Sequence, residues 1–382
     1  MSGEELDILR LQEVRQAIEE NIERDPLRVA LDSRIPHARE VATQVKYLQR
    51  ARQKLRRMYE ARCILPQRAF EQASSEQTAA AKRLSGGRLL DLTCGLGIDS
   101  TAMAERFESV VAIERDEVLA EVVRENLRRQ GIDNVEVVTA SAEEYVAACK
   151  EQFDWIYVDP DRRTDQGRRV VRLEDCSPNV VELWPALKRI SSRVAIKNSP
   201  LFDVEEAFRL FGHCGVEVLS LAGECKEVMI YADGREPALA AEAVGKGRVE
   251  FKRTEIVNWP MPEEFAAAEY SHLIIPDVAL QKARLVRHAL HDVADVWSEN
   301  SFGFARTEPR DVLGRVEEIA RIEPFDMKAL KRELKGVGTD ITMRDFPHPL
   351  DEVRRRTGMR SGNEVRLALT KVEGRCYTIY LK

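Results

Sequence analysis

Between Arg88 and Asp233 the sequence alternates short apolar runs with amphipathic stretches, and this alternation restricts the fold more than any other feature. The runs "RLLDLTC", "SVVAIER", "VEVVTA", "FDWIYVD" and "RVAIKN" have strand length and β-branched content. Between them lie "IDSTAMAERF", "EVLAEVVRENLRRQ", "AEEYVAACK" and "VVELWPALKRI", with apolar residues at helical spacing. Strands that alternate with helices must run parallel, because only a crossover helix returns the chain to the same end of the sheet. After helix "DVEEAFRLF", the runs "VEVLSLA" and "KEVMIYAD" are separated only by "GEC", so they close the unit as an antiparallel edge pair. The expectation is an α/β, seven-stranded Rossmann-like core over 71–234.

What flanks this core differs in character. Residues 1–70 read as a helical region. "LDILRLQEVRQAIEENI" has helical periodicity, Asp25 and Pro26 have the types of an N-cap and a first helical position, and a third helix runs through "AREVATQVKYLQRARQKLRRMYE". The Arg and Lys of that third helix fit a solvated face or a nucleic-acid contact. Beyond the core, "GREPALAAEAVGKGR" reads as a linker. Small α+β modules are expected over 248–320 and 325–382, the latter closing on the hairpin "NEVRLALTKVEGRCYTIYLK". From Lys328 to Lys382 there are 13 Lys/Arg against 7 Asp/Glu, although the whole chain carries −6. A basic end on an acidic body points to an anionic partner there; a solvated basic face is the alternative. The seven cysteines show no CxxC or zinc-like spacing, which fits a reducing cytoplasm and no metal. The acidic start and the lack of a long apolar run predict neither signal peptide nor membrane span. Oligomeric state stays open.

The chemistry concentrates in "DLTCGLGIDS", residues 91–100. Gly95 and Gly97 let backbone approach a ligand at the end of the first strand. A dinucleotide turn wants a third glycine, where this chain has Ser100. Glu114 ends the second strand, where a carboxylate can accept bonds from ribose hydroxyls. Asp91 sits inside the first strand, where an acid is costly unless its burial is offset. S-adenosylmethionine carries both a ribose and an ammonium and lacks a pyrophosphate, so this pair of acids favours it over a nicotinamide dinucleotide. Asp91 satisfying local backbone amides is the other reading.

The stretch from about Glu71 to Asp233 resembles class I S-adenosylmethionine-dependent methyltransferases. Its turn is similar to that of the RNA cap guanine-N2 (trimethylguanosine synthase-like) group, and the whole chain resembles bacterial enzymes with a THUMP-like C-terminal domain. The resemblance implies that Asp91 faces the methionine ammonium through water or directly, Gly95 and Gly97 line methionine and ribose, and Glu114 holds the ribose. Arg115 would lie beside the adenine, with Ser141, Ala142 and Glu143 bordering it. "SSEQTA" places Ser74 and Gln77 at capping-box spacing; Gln77 and Thr78 are secondary candidates near the methionine end.

"YVDPDRR" then resembles the acceptor-holding [DN]-P-P-[FYW] motif of base amino-methyltransferases. Asp159 and Pro160 match, whereas Asp161 and Arg162 stand where a second proline and an aromatic would be. The catalytic candidates are Asp159, Pro160 and Asp161. Arg162, Arg163, Arg168 and Arg169, with Arg172, form a dense cationic segment suited to RNA phosphate. Ion pairs with Asp159, Asp161 and Asp165 are the structural alternative. The reading is methyl transfer from S-adenosylmethionine to a structured RNA, tRNA or rRNA, at a base nitrogen. An RNA-binding scaffold on a vestigial fold and a nicotinamide oxidoreductase are its rivals.

Overall fold

A computed structural model describes residues 1–161 and 172–382 and divides them into two compact units, Met1–Val216 with Val228–Arg235, and Glu217–Glu227 with Glu236–Lys382. The first unit opens with helices α1 (Gly3–Arg10), α2 (Gln12–Asn21), α3 (Pro26–Ala30), α4 (Ala38–Lys54), α5 (Arg56–Glu60), α6 (Gln67–Gln72) and α7 (Glu76–Ala81). Asp25 caps α3 through a bond from the Arg28 N–H, with Pro26 at the first position. The amphipathic run expected as one helix breaks at Leu11, whose backbone is extended, so that α1 and α2 bury their apolar faces separately. The third predicted helix likewise breaks at Leu55. In both places tertiary packing overrides helical propensity.

These helices do not form a region of their own. Val14, Val45, Leu48, Leu55 and Leu65 share one core with Leu96, Ile98 and Val122 of the neighbouring α/β layer. Buried Asn126 fastens the join, donating to the Ile64 carbonyl at 2.9 Å and accepting from its N–H at 2.7 Å.

The sheet begins with β1 (Gly86–Asp91), β2 (Phe107–Glu114), β3 (Val135–Thr139), β4 (Trp155–Val158) and β5 (Val194–Asn198). β6 (Gly215–Leu221) and β7 (Glu224–Ala232) follow, and the order among these seven strands is β3-β2-β1-β4-β5-β7-β6. β1 to β5 pair in parallel, and β7 runs antiparallel to β5. The covering helices are α8 (Ile98–Ala104), α9 (Glu117–Gln130), α10 (Ala142–Ala148), α11 (Val180–Ile190) and α12 (Val204–Phe211). This is the expected Rossmann-like topology. The chain leaves β1 toward β2 and β3, then returns to β4 on the other side. A crevice therefore opens past the carboxyl ends of β1 and β4.

In the second unit β8 (Ala238–Ala243), inside the stretch expected as a linker, pairs antiparallel with β9 (Gly247–Lys252). The alanine-rich β8 is a poor strand former by composition; its burial decides its structure. The remaining strands are β10 (His272–Pro276), β11 (Asp295–Val296), β12 (Gly303–Ala305), β13 (Gly314–Pro324), β14 (Gly338–Arg344), β15 (Arg360–Ser361), β16 (Val365–Val372) and β17 (Arg375–Leu381). They make one sheet in the order β11-β12-β10-β13-β17-β16-β14-β15. α13 (Val278–Lys282), α14 (Val286–Leu290), α15 (Met327–Leu334) and α16 (Leu350–Thr357) complete the unit. The two modules expected over 248–320 and 325–382 thus share a sheet: β13 pairs with β10 on one edge and β17 on the other. Phe265, Phe302 and Phe304 from the earlier stretch pack in one core with Ala368 and Ile379 from the later.

Candidate active site

The crevice at the carboxyl ends of β1, β2 and β4 widens into a cavity of about 710 Å³. Its floor is the turn between β1 and α8. Gly95 and Gly97 both take left-handed backbone, with φ +55° and +79°, which side-chain-bearing residues adopt only under strain. The Cys94 N–H bonds the Ile113 carbonyl at 2.9 Å and the Leu92 N–H bonds the Tyr157 carbonyl at 3.0 Å, so the turn is tied to both neighbouring strands. A Cβ at Gly95 would meet nothing within 4 Å, and bare backbone borders the cavity there.

Glu114 stands at the end of β2 and accepts from the Gly95 N–H through Oε2 and the Asp116 N–H through Oε1, both at 2.9 Å. Burial pushes its carboxyl up, and the two N–H groups oppose the rise. Arg115 and the start of α10 continue this wall. Ser141 caps α10 in a box with Glu144, which fixes Ala142 and Glu143 at the cavity edge.

The opposite wall follows β4. The Asp159 N–H donates to Thr93 Oγ1 at 2.6 Å, which binds the strand end to the turn. Asp161 forms a two-bond backbone bridge with Ser177, and its Oδ2 lies 3.9 Å from Arg68. Behind this wall runs a row of charges. Lys82 Nζ, on a fully buried side chain, meets Asp99 Oδ1 at 2.7 Å. Asp99 Oδ2 accepts from Tyr157 at 2.8 Å, from Ser74 at 3.0 Å and from Lys197 at 3.3 Å. Lys197 also reaches Ser74 Oγ at 2.8 Å and Asp159 Oδ2 at 2.6 Å. Burial presses the Asp99 carboxyl up, but Lys197, Lys82 and Tyr157 outweigh it and hold the group well below the usual carboxylate range.

Of the residues expected at the site, Gly95, Glu114, Arg115, Ser141, Ala142, Glu143, Asp159, Pro160 and Asp161 line the cavity. Two do not. Asp91 is completely buried behind the turn, bonded through Oδ2 to Ser100 and through Oδ1 to the Thr93 N–H at 2.9 Å. In this arrangement Asp91 braces the turn. Burial raises its carboxyl to about 7, against the pull of Ser100 and the Thr93 N–H. Gly97 shapes the turn from behind, where a Cβ would stand 3.0 Å from Val123 Cγ1. The helix cap expected at Ser74 is Ser75, which accepts from the Thr78 N–H at 3.2 Å; Ser74 points instead to Asp99 and Lys197. Gln77 is exposed and Thr78 buried, neither on the cavity wall. Arg162, Arg163, Arg168 and Arg169 lie outside the described residues, and Arg172 pairs with Glu174 at 3.6 Å. Sequence reasoning missed Asp99 and Lys197. The acid in the turn motif and a lysine after the apolar run of β5 were their only signals. Among the described residues no group of three or more His, Cys, Asp or Glu can hold a metal, and no helix is long and apolar enough to cross a membrane.

A family model described as a methyltransferase domain matches residues 89–165, and one described as THUMP domain-like matches 314–381. An S-adenosylmethionine-dependent methyltransferase of Mycobacterium tuberculosis, described as uncharacterized, is 26% identical over 313 residues, covering 80% of this chain and 83% of the relative. Ribosomal RNA small subunit methyltransferase J of Coxiella burnetii is 34% identical over 130 residues, 30% of this chain and half of that protein. A crystal structure from Porphyromonas gingivalis, assigned as a methyltransferase, superposes with a TM-score of 0.84 at 25% identity, over 99% of this chain and 98% of that one.

Proposed function

The chain is a class I S-adenosylmethionine-dependent methyltransferase with a THUMP-like domain, and from that premise we propose that it methylates a structured RNA, an rRNA or tRNA, at a base nitrogen in the cytoplasm. S-adenosylmethionine supplies an electrophilic methyl group on its sulfonium. The residues present fit this cofactor: the open backbone at Gly95 and the Glu114 carboxylate share one wall with Ser141 and Glu143. Glu114 would take the ribose hydroxyls, Gly95 the methionine and ribose, and Arg115 with Ser141 to Glu143 the adenine. Asp91 would act through the turn.

The observation that carries the acceptor assignment is the position of Asp159, Pro160 and Asp161 on the wall of that same cavity. Among the described residues Asp159 Oδ1 accepts no hydrogen bond, while Oδ2 is engaged by Lys197. Oδ1 would accept a bond from the acceptor amine, orient its lone pair and take the proton that the amine sheds. Such alignment of two reactants supplies the larger part of the acceleration in a displacement of this kind. The ribosomal RNA named as the target of the Coxiella relative, and the THUMP-like stretch, support RNA as substrate. Arg162, Arg163, Arg168 and Arg169 would hold its phosphates.

The test is labelled S-adenosylmethionine with total bacterial RNA, followed by mass spectrometry of the nucleosides. A methylated base that depends on wild-type protein and disappears with Asp159→Ala supports the reading. Label confined to protein, or none, refutes it.

A further inference from the structure

Lys197 lies on β5 among buried residues, with a side chain only 12% exposed. An ammonium in such a place is costly unless carboxylates surround it. Asp99 supplies one such carboxylate, which it shares with buried Lys82. Lys197 lies closer to a second acid, Asp159 at 2.6 Å against 3.3 Å for Asp99, and that second acid is on the cavity wall. The four groups alternate in sign from the interior outward: Lys82, Asp99, Lys197, Asp159. Each inner member fixes the next, since Lys82 and Tyr157 hold the Asp99 carboxylate and Asp99 with Ser74 holds the Lys197 ammonium.

We propose that Lys197 is a positioning residue for methyl transfer, clamping Asp159 Oδ2 so that Oδ1 is the oxygen offered to the acceptor. The proposal rests on the assignment of Asp159 above and adds what makes that carboxylate competent. A side chain held by one oxygen loses the torsional freedom that would otherwise turn both oxygens through the cavity, which is how a supporting contact preorganises a reacting group. The ammonium also separates two acids. Without it Asp99 and Asp159 would face each other with buried Asp91 nearby as a third, and among the described residues Lys82 would be the lysine left in the row to balance them.

The test compares wild type, Lys197→Met, Lys197→Arg and Asp159→Asn as full-length proteins, by RNA methylation across pH and by calorimetry with S-adenosylmethionine. Lys197→Met should lower kcat roughly 10- to 100-fold, the scale of one charged contact, and leave RNA KM and cofactor Kd within about threefold. Its acid limb should move to higher pH, because the Asp99 carboxyl loses one of the two ammonium groups that hold it low. Lys197→Arg should return the acid limb toward its wild-type position. If Lys197→Met does not fold, the double variant Lys197→Met with Asp99→Asn, which leaves Lys82 and Asp159 in balance, takes its place. An active wild type beside a Lys197→Met enzyme with unchanged kcat and pH profile overturns the proposal alone. So does a loss of kcat matched by an equal loss of cofactor affinity. A wild type that labels no RNA overturns the RNA reading and this inference with it.

Discussion

Two acids at neighbouring strand ends, Asp91 and Glu114, are set by their surroundings to different tasks. Asp91 titrates near 7 in the fold against 3.8 for an ordinary carboxyl, with burial as the main cause. The native state therefore binds more protons than the unfolded chain between those values, and this group's contribution to stability falls as pH rises through that window. The fall amounts to about 4 kcal/mol at most, at roughly 1.4 kcal/mol per unit. Asp91→Asn removes the titration. Relative to wild type it should gain stability between roughly pH 5 and roughly pH 8, read by urea unfolding at both. Glu114 stays on the cavity wall, and its removal is read in binding. Glu114→Ala should weaken S-adenosylmethionine binding tenfold or more, since each charged hydrogen bond to the ribose is worth roughly 1.5–3 kcal/mol. Unchanged calorimetric affinity in a folded variant would remove Glu114 from the site.

The turn that joins β1 to α8 separates stability from binding between its two glycines. Gly97→Ala places a methyl 3.0 Å from Val123 Cγ1 on left-handed backbone, so it should lower Tm and cost about 1–2 kcal/mol or more. Gly95→Ala meets open space on the protein side, and its methyl enters the cavity. It should lower Tm less and cofactor affinity more, and a reversed ranking by calorimetry and thermal melts would contradict the placement of the turn. Local sequence carried this element well because a glycine pair between a strand and a helix is a short-range signal. It carried the helix cap less well: Ser74 and Ser75 are chemically equal, and only the charge row behind the cavity decides that Ser74 turns inward and Ser75 caps. Lys197 was invisible for a related reason. Its acidic partners lie 38 and 98 positions away in sequence, and nothing in "RVAIKN" announces them. The two broken helices and the alanine-rich β8 mislead in the same way, because packing partners distant in sequence outweigh local preference there.

For the molecule as a whole, the basic C-terminal stretch is part of a larger sheet and cannot be removed cleanly. Deleting residues 328–382 would take β14 to β17 and strip β13 of a partner, so the expected result is loss of fold in the second unit. Substitution is the better probe. Lys331, Arg332 and Arg355 are exposed on α15 and α16, and changing all three to Gln should leave cofactor affinity unchanged. If the stretch meets RNA phosphate, the log–log salt slope of binding should fall by about 0.7–0.9 for each phosphate no longer neutralised. A slope equal to wild type would reassign these residues to solvent. The sheet order also governs when this unit can form. β17, at Arg375–Leu381, lies between β13 and β16, and β13 links it to β10. Strands made more than fifty positions earlier must wait beside an open slot until residue 381 has left the ribosome. The first unit has no such wait past residue 235. On a translating ribosome the methyl-donor site can thus be complete while the second unit still exposes unpaired strand edges, the interval in which a chaperone would find its target.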